Sequence, residues 1–249
     1  MWVFGGSQGY TGAPQLAAMG AQSVGAGLVS IACPDDVYPI IAASSLDVMV
    51  HPQHQAPWQH AHAIVAGMGW NDAQHNTLHQ LLQHHAPLVL DAGALNLLSN
   101  SPKLQDALQQ RKAFTVLTPH PGEAARLLHT NTKAIQENRV TSALKLARKY
   151  HAWVVLKDAQ TLLASPKQHI WLNPFGSANL TVAGTGDVLA GMMGGLLANQ
   201  AQATSQPEQQ VMAAIIMHGM VGEQQGWYRA GELPSLIAKQ LAHVQKNTV

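Results

Sequence analysis

A run of small residues followed by an acidic residue is the part of the sequence best suited to chemistry. Residues 183–187 read Ala-Gly-Thr-Gly-Asp and lead into an apolar, helix-forming run that starts at Val188. The first amides of a helix lack partners within the helix and lie at the positive end of its dipole, so such a loop can bind an anion. Gly184 and Gly186 also allow a phosphate to approach the main chain closely. We therefore expect Gly184, Thr185 and Gly186 to form an anion hole.

Asp187 closes this loop, and the residues alone support two interpretations of it. A carboxylate is a poor phosphate ligand, but beside a bound phosphoryl group it can accept the proton of a hydroxyl that attacks the phosphorus. The other interpretation is a helix N-cap, a position at which Asp is favoured. Local sequence leaves both interpretations open.

Composition limits the class of protein. The chain has 249 residues, of which 47% are hydrophobic and 11% charged, so one large core and a single α/β domain over residues 1–249 are expected. The net charge is +1 and no basic block occurs, which argues against a nucleic-acid partner. The single cysteine, Cys33, fits a reducing compartment. Because no apolar run approaches the roughly 20 residues that span a bilayer, we expect no membrane association and a cytoplasmic location.

The elements that must position the loop alternate along the chain. Apolar runs of a few residues alternate with helical patterns, which predicts a mainly parallel central sheet with helices on both faces. Strands are expected at Met1–Phe4, Leu28–Ala32, Leu46–Val50, Ala63–Ala66, Leu88–Asp91, Phe114–Leu117 and Trp153–Leu156, followed by an antiparallel pair, Leu162–Ala164 and His169–Leu172. Helices are expected after Gly12, Ser101 and Gly122, and at Asp36–Ala43, Ala73–His85, Val140–Tyr150, Val188–Ala198, Glu208–Gln225 and Leu233–Val244.

Four further motifs lie where predicted strands end. Residues 5–13 form a second glycine-rich loop, whose spacing does not fit the dinucleotide-binding G-x-G-x-x-G pattern. Gly67-Met68-Gly69 suits either a substrate site or a tight turn. Asp91, at the end of a predicted strand, either holds Mg²⁺ through water or anchors its loop. Residues 118–123 read T-P-H-P-G-E, a stiff loop in which His120 either contacts a ligand or caps a carbonyl. His75 and His79 are four residues apart, but no third ligand follows, so no protein metal site is predicted.

These stretches together resemble the ADP- or ATP-dependent NAD(P)H-hydrate dehydratases of the ribokinase-like superfamily. The resemblance covers nearly the whole chain. It rests on the following segments: G-T-G-D-V-L-A-G at 184–191, G-G-S at 5–7 with G-A at 12–13 and G-A-G-L-V at 25–29, D-A-G-A-L-N at 91–96, T-P-H-P-G-E at 118–123, Lys157 with Thr161, and H-G at 218–219.

The resemblance implies a ribokinase-like fold, a function and a set of site residues. Members repair the S-epimer of hydrated NADH or NADPH by phosphorylating the ring hydroxyl with ADP or ATP in the presence of Mg²⁺, and phosphate is then lost. It also implies a homotetramer and functional pairing with an NAD(P)H-hydrate epimerase. Carried over residue by residue, the catalytic residue is Asp187. The substrate site is Ala13, Gly69, His120 and Asp187, and the nucleotide site is Lys157, Asp158, Ala159, Gln160, Thr161 and Gly186.

The sequence departs from the family pattern at three places. Gly93 replaces the second Asp of D-A-D-A-L-N, Asp158 replaces a Gly beside the expected phosphates, and residues 177–179 replace N-P-G. Two other functions therefore stay open. A kinase of the same fold acting on a small alcohol, such as a thiazole or hydroxymethylpyrimidine, shares the loop and Asp187, and a non-catalytic nucleotide-binding protein retains the loop without turnover. The sequence does not decide between ADP and ATP, or between the hydrates of NADH and NADPH.

Overall fold

A computed structural model describes residues 1–199 and 206–246, and nine strands of this part form one sheet. The strands are β1 (Trp2–Phe4), β2 (Ser30–Cys33), β3 (Met49–Pro52), β4 (Ile64–Ala66), β5 (Leu88–Leu90), β6 (Thr115–Leu117), β7 (Trp153–Leu156), β8 (Leu162–Ala164) and β9 (Ile170–Leu172). Their order is β3-β2-β1-β4-β5-β6-β7-β8-β9. The first seven strands are parallel to one another. Strand β8 is antiparallel to β7, and β8 and β9 form the predicted antiparallel pair.

Eleven α-helices are described in the same residues. They are α1 (Gly12–Ser23), α2 (Tyr38–Ser44), α3 (His75–Leu82), α4 (Gly93–Asn100), α5 (Pro102–Gln110), α6 (Pro121–Leu127), α7 (Thr132–Glu137), α8 (Arg139–Tyr150), α9 (Thr185–Ala198), α10 (Pro207–Gly222) and α11 (Leu233–Lys246). Two of these, α4 and α7, were not predicted. The predicted start of β3 was wrong, because Leu46 lies before the strand and its side chain is 99% exposed.

The alternation of side chains along each strand produces two hydrophobic cores. Trp2 and Phe4 face one core, which α3 to α8 cover, whereas Val3 faces the other. The second core is closed by α1, α2, α9, α10 and α11. Both faces are buried along the inner strands, which are therefore largely apolar, and this is why their positions were readable from the sequence. The edge strands β3 and β9 are partly exposed.

The helices α1 and α9 touch backbone to backbone through glycine. A Cβ placed on Gly191 would lie 1.8 Å from the carbonyl oxygen of Ala17, and one on Gly20 would lie 2.3 Å from that of Val188. Near the start of α9, the side chain of Leu16 lies against Gly184. The two helices therefore run in the same direction with their N-termini side by side. In the described residues, no helix combines the length and the hydropathy needed to cross a membrane.

Candidate active site

The anion loop precedes α9 in a conformation that requires glycine. Gly184 is the N-cap of the helix and has φ +95°, in the left-handed region that favours glycine. A Cβ at this position would lie 2.5 Å from Cδ1 of Leu16 and 3.0 Å from Cβ of Ala230. Backbone angle and packing therefore both exclude a side chain here.

The amides of this loop are only partly used by the protein itself. The Thr185 amide donates to the carbonyl of Val182 at 3.3 Å, and the Thr185 hydroxyl donates to the carbonyl of Leu180 at 2.7 Å. Within the described residues, no backbone acceptor faces the amides of Gly184 and Gly186. Of the three predicted anion-hole residues, Gly184 and Gly186 thus present free amides, while Thr185 fixes the shape of the loop.

Asp187 is the third residue of α9, so the N-cap interpretation is wrong. No described residue forms a hydrogen bond to its carboxylate. Burial, followed by the negative charge of Asp91, raises the pKa of Asp187 to about 7, although Lys157 acts in the opposite direction. A carboxylate with this pKa is about half ionised at neutral pH, which suits proton transfer in either direction.

A buried ion pair lies against the first turn of α9. The Nζ atom of Lys157 donates to Oδ1 of Asp91 at 2.7 Å, and the side chains are only 19% and 3% exposed. Burial opposes the charge on Lys157, but Asp91 and Glu123 outweigh it and raise the pKa of the ammonium. The same Oδ1 of Asp91 accepts the amide of Ala92 at 2.9 Å. The structure therefore supports the loop-anchoring interpretation of Asp91, but its partner Lys157 was not predicted.

A cavity of about 600 Å³ opens beside this turn, a volume typical of small-molecule sites. It lies between the β7–β8 turn, the segment 173–182, the start of α9 and the helix α10. Five of the six residues predicted for the nucleotide line it, namely Lys157, Asp158, Ala159, Thr161 and Gly186. Gln160 does not line it. Its carbonyl instead accepts a hydrogen bond from Arg139.

Asp158, which replaces a glycine of the family pattern, is neutralised by a neighbour. Its Oδ2 lies 3.3 Å from Nε of Arg139, and its Oδ1 accepts the amide of Ala159 at 2.8 Å. The negative charge that the sequence adds here is therefore paired within the protein.

The lip of the cavity contains residues 177–179, which replace N-P-G of the family pattern. The side-chain amide of Asn179 donates to the carbonyls of Gly222 and Gln224, both at 3.1 Å. The hydroxyl of Ser177 also donates to Gly222, and the amide of Gly176 donates to Glu223 at 3.1 Å. The residues that replace N-P-G thus attach the lip to the C-terminal end of α10.

His218 supports the anion loop from α10. Its Nε2 lies 3.0 Å from the carbonyl oxygen of Thr185, which can only accept, so the proton is on Nε2. Burial lowers the pKa of His218 to about 4, and the imidazole is therefore neutral at physiological pH. The structure shows the buried helix contact, and His218 also lines the cavity, so a position beside a nucleotide stays a prediction.

Two other predicted residues, Ala13 and Gly69, meet on the opposite side of the loop. Gly69 has φ +69°, and a Cβ placed on it would lie 2.8 Å from Cβ of Tyr10 and 3.5 Å from that of Ala13. The hydroxyl of Ser7 donates to the Gly69 carbonyl at 2.6 Å. One turn after Ala13, Leu16 contacts Gly184. These contacts place the corner formed by Ala13 and Gly69 beside the anion loop but outside the 600 Å³ cavity.

His120 caps a helix, although not in the way the sequence suggested. Its Nδ1 accepts the amides of Gly122 at 3.0 Å and Glu123 at 3.4 Å, so it caps N–H groups at the start of α6 and not a carbonyl. Burial, followed by the positive charges of Lys157 and Arg126, lowers the pKa of His120. The neutral ring then carries its proton on Nε2. This N–H lies 3.5 Å from Oε1 of Glu123, and His120 also lines the cavity.

The missing second carboxylate of D-A-D-A-L-N has a packing explanation. A Cβ placed on Gly93 would lie 2.6 Å from the carbonyl oxygen and 2.7 Å from Cβ of Trp70. The amides of Gly93 and Trp70 both donate to the carbonyl of Gly67, at 3.0 and 3.1 Å. Trp70 therefore occupies the space that an Asp at position 93 would need.

No metal centre formed by protein side chains is found in the described ranges. No group of three or more His, Cys, Asp or Glu side chains in residues 1–199 and 206–246 could hold a metal ion. His75, one of the spaced pair, lies 2.9 Å from the hydroxyl of Ser101.

Comparison with known proteins supports the resemblance read from the motifs. The sequence profile of a family described as NAD(P)H-hydrate dehydratase matches residues 1–242. The chain is 39% identical over 206 residues to an ADP-dependent (S)-NAD(P)H-hydrate dehydratase of Neisseria meningitidis, covering 79% of this chain and 68% of that protein. It is also 39% identical over 230 residues to a bifunctional NAD(P)H-hydrate repair enzyme of Gloeobacter violaceus, covering 88% of this chain. The match spans only 43% of that longer protein.

Solved structures agree with the predicted fold. The ADP/ATP-dependent NAD(P)H-hydrate dehydratase of Bacillus subtilis, co-crystallised with ATP and Mg²⁺, superposes with a TM-score of 0.82 at 27% identity, covering 97% of this chain and 88% of that one. A ribokinase-like protein of Enterococcus faecalis gives a TM-score of 0.81 at 21% identity, with 97% and 86% of the two chains covered. The predicted ribokinase-like α/β fold is confirmed.

Proposed function

This chain belongs to the NAD(P)H-hydrate dehydratase family, and from that premise we propose that it converts the S-epimer of hydrated NADH or NADPH back to the intact cofactor, using ADP or ATP. One observation carries the proposal. The Asp187 carboxylate has no hydrogen-bond partner among the described residues, its pKa is about 7, and its Oδ2 lies 3.9 Å from the position of a Cβ on Gly184 in the anion loop. A free base beside an anion-binding loop is what phosphoryl transfer to a hydroxyl requires.

The nucleotide is assigned to the 600 Å³ cavity. We assign the phosphates to the part of the lining formed by Lys157 and Gly186. Asp158, Ala159 and Thr161 line the same cavity, and the backbone of Gln160 completes the turn. The Neisseria relative is named as ADP-dependent, and the Bacillus protein was crystallised with ATP and Mg²⁺. Both findings support an adenine nucleotide as the phosphoryl donor.

The hydrated cofactor is assigned to the side of the loop where Ala13 and Gly69 meet, whereas His120, which was also predicted for the substrate, lines the nucleotide cavity. Hydroxide is a poor leaving group, whereas phosphate is a good one. Asp187 accepts the proton of the ring hydroxyl while the hydroxyl oxygen bonds to the terminal phosphorus. The bond from that phosphorus to the bridging oxygen of the nucleotide breaks, and the amides of Gly184 and Gly186 stabilise the charge on the phosphoryl group. Phosphate then leaves the ring, the adjacent carbon loses a proton, and the double bond is restored.

Magnesium fits this site only as an ion carried by the nucleotide. No described cluster of protein ligands could hold a metal by itself. Mg²⁺ commonly binds substrate phosphates and keeps several waters, and it would supply neutralisation of the phosphate charge. We assign no protein residue as its ligand.

The proposal is tested by incubating chemically hydrated NADH with the protein, Mg²⁺ and either ADP or ATP, and by following near-ultraviolet absorbance. We expect absorbance to return only with nucleotide, and to fail with Asp187→Asn. The matched control is Asp106→Asn on the exposed side of α5, which should retain wild-type turnover. Activity retained by Asp187→Asn would refute the assigned base.

Analysis of the phosphorus products separates this function from the small-alcohol kinase. A dehydratase releases inorganic phosphate, whereas a kinase leaves a stable phosphorylated alcohol. Nucleotide binding by folded protein without either product would favour the non-catalytic alternative.

We further propose a single domain over residues 1–249, a cytoplasmic location and a homotetramer. The single domain is supported by the one sheet of the described residues, the location by the single cysteine and the cofactor substrate, and the tetramer by family resemblance. Functional pairing with an epimerase is supported by the matched relatives named as bifunctional repair enzymes, of which this chain spans less than half the length. Light scattering of the purified chain tests the tetramer.

A further inference from the structure

The Lys157–Asp91 ion pair is the buried charged group that the mechanism above leaves unexplained. Asp91 directly follows the central strand β5 and Lys157 directly follows β7, so the two residues come from strand ends that are separated by β6. Removing two such charges from water is costly, and the pair is retained at 2.7 Å with almost no exposure of the carboxylate. A purely structural contact at this position would not require charge.

The pair lies beside the atoms that the reaction uses. The Nζ atom of Lys157 is 3.2 Å from the position of a Cβ on Gly186, and Oδ2 of Asp91 is 3.9 Å from the same point. Gly186 directly precedes Asp187 and carries one of the free amides of the anion loop. Lysine has three N–H donors, and Asp91 is its one hydrogen-bond acceptor among the described residues. The remaining donors belong to a side chain that lines the nucleotide cavity.

Charges from three packed elements act on Asp187. Asp91 on the β5 side and Glu123 on α6 are negative and raise the pKa of Asp187, whereas the ammonium of Lys157 lowers it. The start of α9 contributes its own positive dipole end, which favours the carboxylate form. The titratable groups nearby are His120 and His218, and the pKa of each is lowered, so both are neutral at pH 7.

We propose that Asp91 is a positioning residue for phosphoryl transfer: through its hydrogen bond it holds the ammonium of Lys157 against the first turn of α9, ready for the transferring phosphoryl group, and keeps that ammonium from pairing with Asp187. This inference rests on the proposed function and deepens it. Without Asp91, the ammonium would be free to move toward Asp187 and would make it a weaker base. Without Lys157, the carboxylates of Asp91 and Asp187 would face each other uncompensated.

Removing Asp91 and removing Lys157 should therefore shift the titration midpoint of Asp187 in opposite directions. The protein is labelled with ¹³C in the carboxyl groups of its eight aspartates, and the Asp187 resonance is identified by its loss in Asp187→Asn. In nucleotide-free protein, Asp91→Asn should move the titration midpoint of Asp187 to lower pH by about one unit, and Lys157→Met should move it to higher pH by a similar amount. Structural damage alone would not shift one resonance in opposite directions.

Turnover gives the second readout. In Asp91→Asn, the acid limb of the pH dependence of kcat/KM should move to lower pH, and kcat should fall at least tenfold with the dissociation constant of ADP changed less than threefold. In Lys157→Met, ADP binding itself should weaken tenfold or more, because the phosphate loses a cation.

Each outcome bears on the proposal. A titration midpoint of Asp187 that does not move in folded Asp91→Asn, or that moves in the same direction in both variants, would overturn it. If Asp91→Asn does not fold, Lys157→Met alone decides, and an unchanged or lowered midpoint overturns the proposal. The carboxyl titration needs no dehydratase activity. Opposite shifts in a protein without turnover on hydrated NADH would therefore refute the proposed function and leave the arrangement of charges in place.

Discussion

Replacing Asp187 with Asn should stabilise the protein, and the gain should depend on pH. The folded protein holds the Asp187 carboxyl in a place where burial and Asp91 raise its pKa from 3.8 to about 7. Below pH 3.8 the group is protonated in the folded and unfolded states alike, so it has no effect. Between the two pKa values the unfolded chain releases the proton while the folded protein retains it, and stability is lost as pH rises. Above pH 7 the penalty stays constant.

The magnitude follows from the size of the shift. About three pKa units correspond to roughly 4 kcal/mol at full effect, of which about 1.5 kcal/mol is already present at pH 5. Because the carboxylate is only partly shielded from solvent, we halve these values. The advantage of Asp187→Asn over wild type should then grow by about 1.3 kcal/mol between pH 5 and pH 8. For a chain of this size that is about 2.5–5 °C in Tm.

Thermal unfolding followed by circular dichroism at pH 5 and pH 8 measures this difference. Asp106→Asn, on the exposed side of α5, serves as the control whose Tm difference from wild type should not change with pH. If the gap between Asp187→Asn and wild type is the same at both pH values, or narrows at pH 8, the raised pKa and the base assigned from it are both wrong.

Three further predictions concern packing and charge around the loop. Gly191→Ala should lower the free energy of unfolding by more than 2 kcal/mol in denaturant titration, because its Cβ meets the Ala17 carbonyl at 1.8 Å, whereas Gly12→Ala, which has no atom within 4 Å, should change it by less than about 0.5 kcal/mol. Arg139→Gln should weaken ADP binding several-fold in calorimetry, because it leaves Asp158 unpaired beside the proposed phosphate site. Adding Asp158→Asn should restore the affinity. If the double variant does not recover, Arg139 does not act by pairing with Asp158. His218→Phe should lower Tm by several degrees at both pH 6 and pH 8, because the neutral ring donates to Thr185 at either pH, and a loss confined to one pH would contradict a neutral imidazole.

Local patterns carried most of the fold and part of the site. The inner strands were readable because both faces of the sheet are buried there, which makes each of them a largely apolar run. The helix start at Ser101 was readable because the hydroxyl caps the amide of Leu104. By contrast, α4 begins directly after a strand, at a glycine and next to Ala92 with φ +47°, and no local helix signal marks it.

The parts of the site that were missed depend on distant contacts. Lys157 and Asp91 are 66 positions apart, and no spacing rule links them. The capping role of His120 depends on the direction in which the chain leaves the loop, which the two prolines restrict without specifying. Trp70 explains Gly93 only once both are seen to share the carbonyl of Gly67. In each case the sequence indicated what the residue can do chemically, but it did not indicate which distant residue it contacts.

The glycine contact between α1 and α9 has a consequence for how members of this family can diverge. Since main-chain atoms meet directly at Gly20 and Gly191, no rotamer can lengthen or shorten the gap between the helix that carries Asp187 and the helix that carries Ala13. The spacing of the proposed base and acceptor is thus a constant of the scaffold. Variation that adapts the site to a different acceptor is expected at the non-glycine positions of the loops at 5–10 and 67–70, because a Cβ on Gly5, Gly67 or Gly69 would lie within 3 Å of a neighbouring atom.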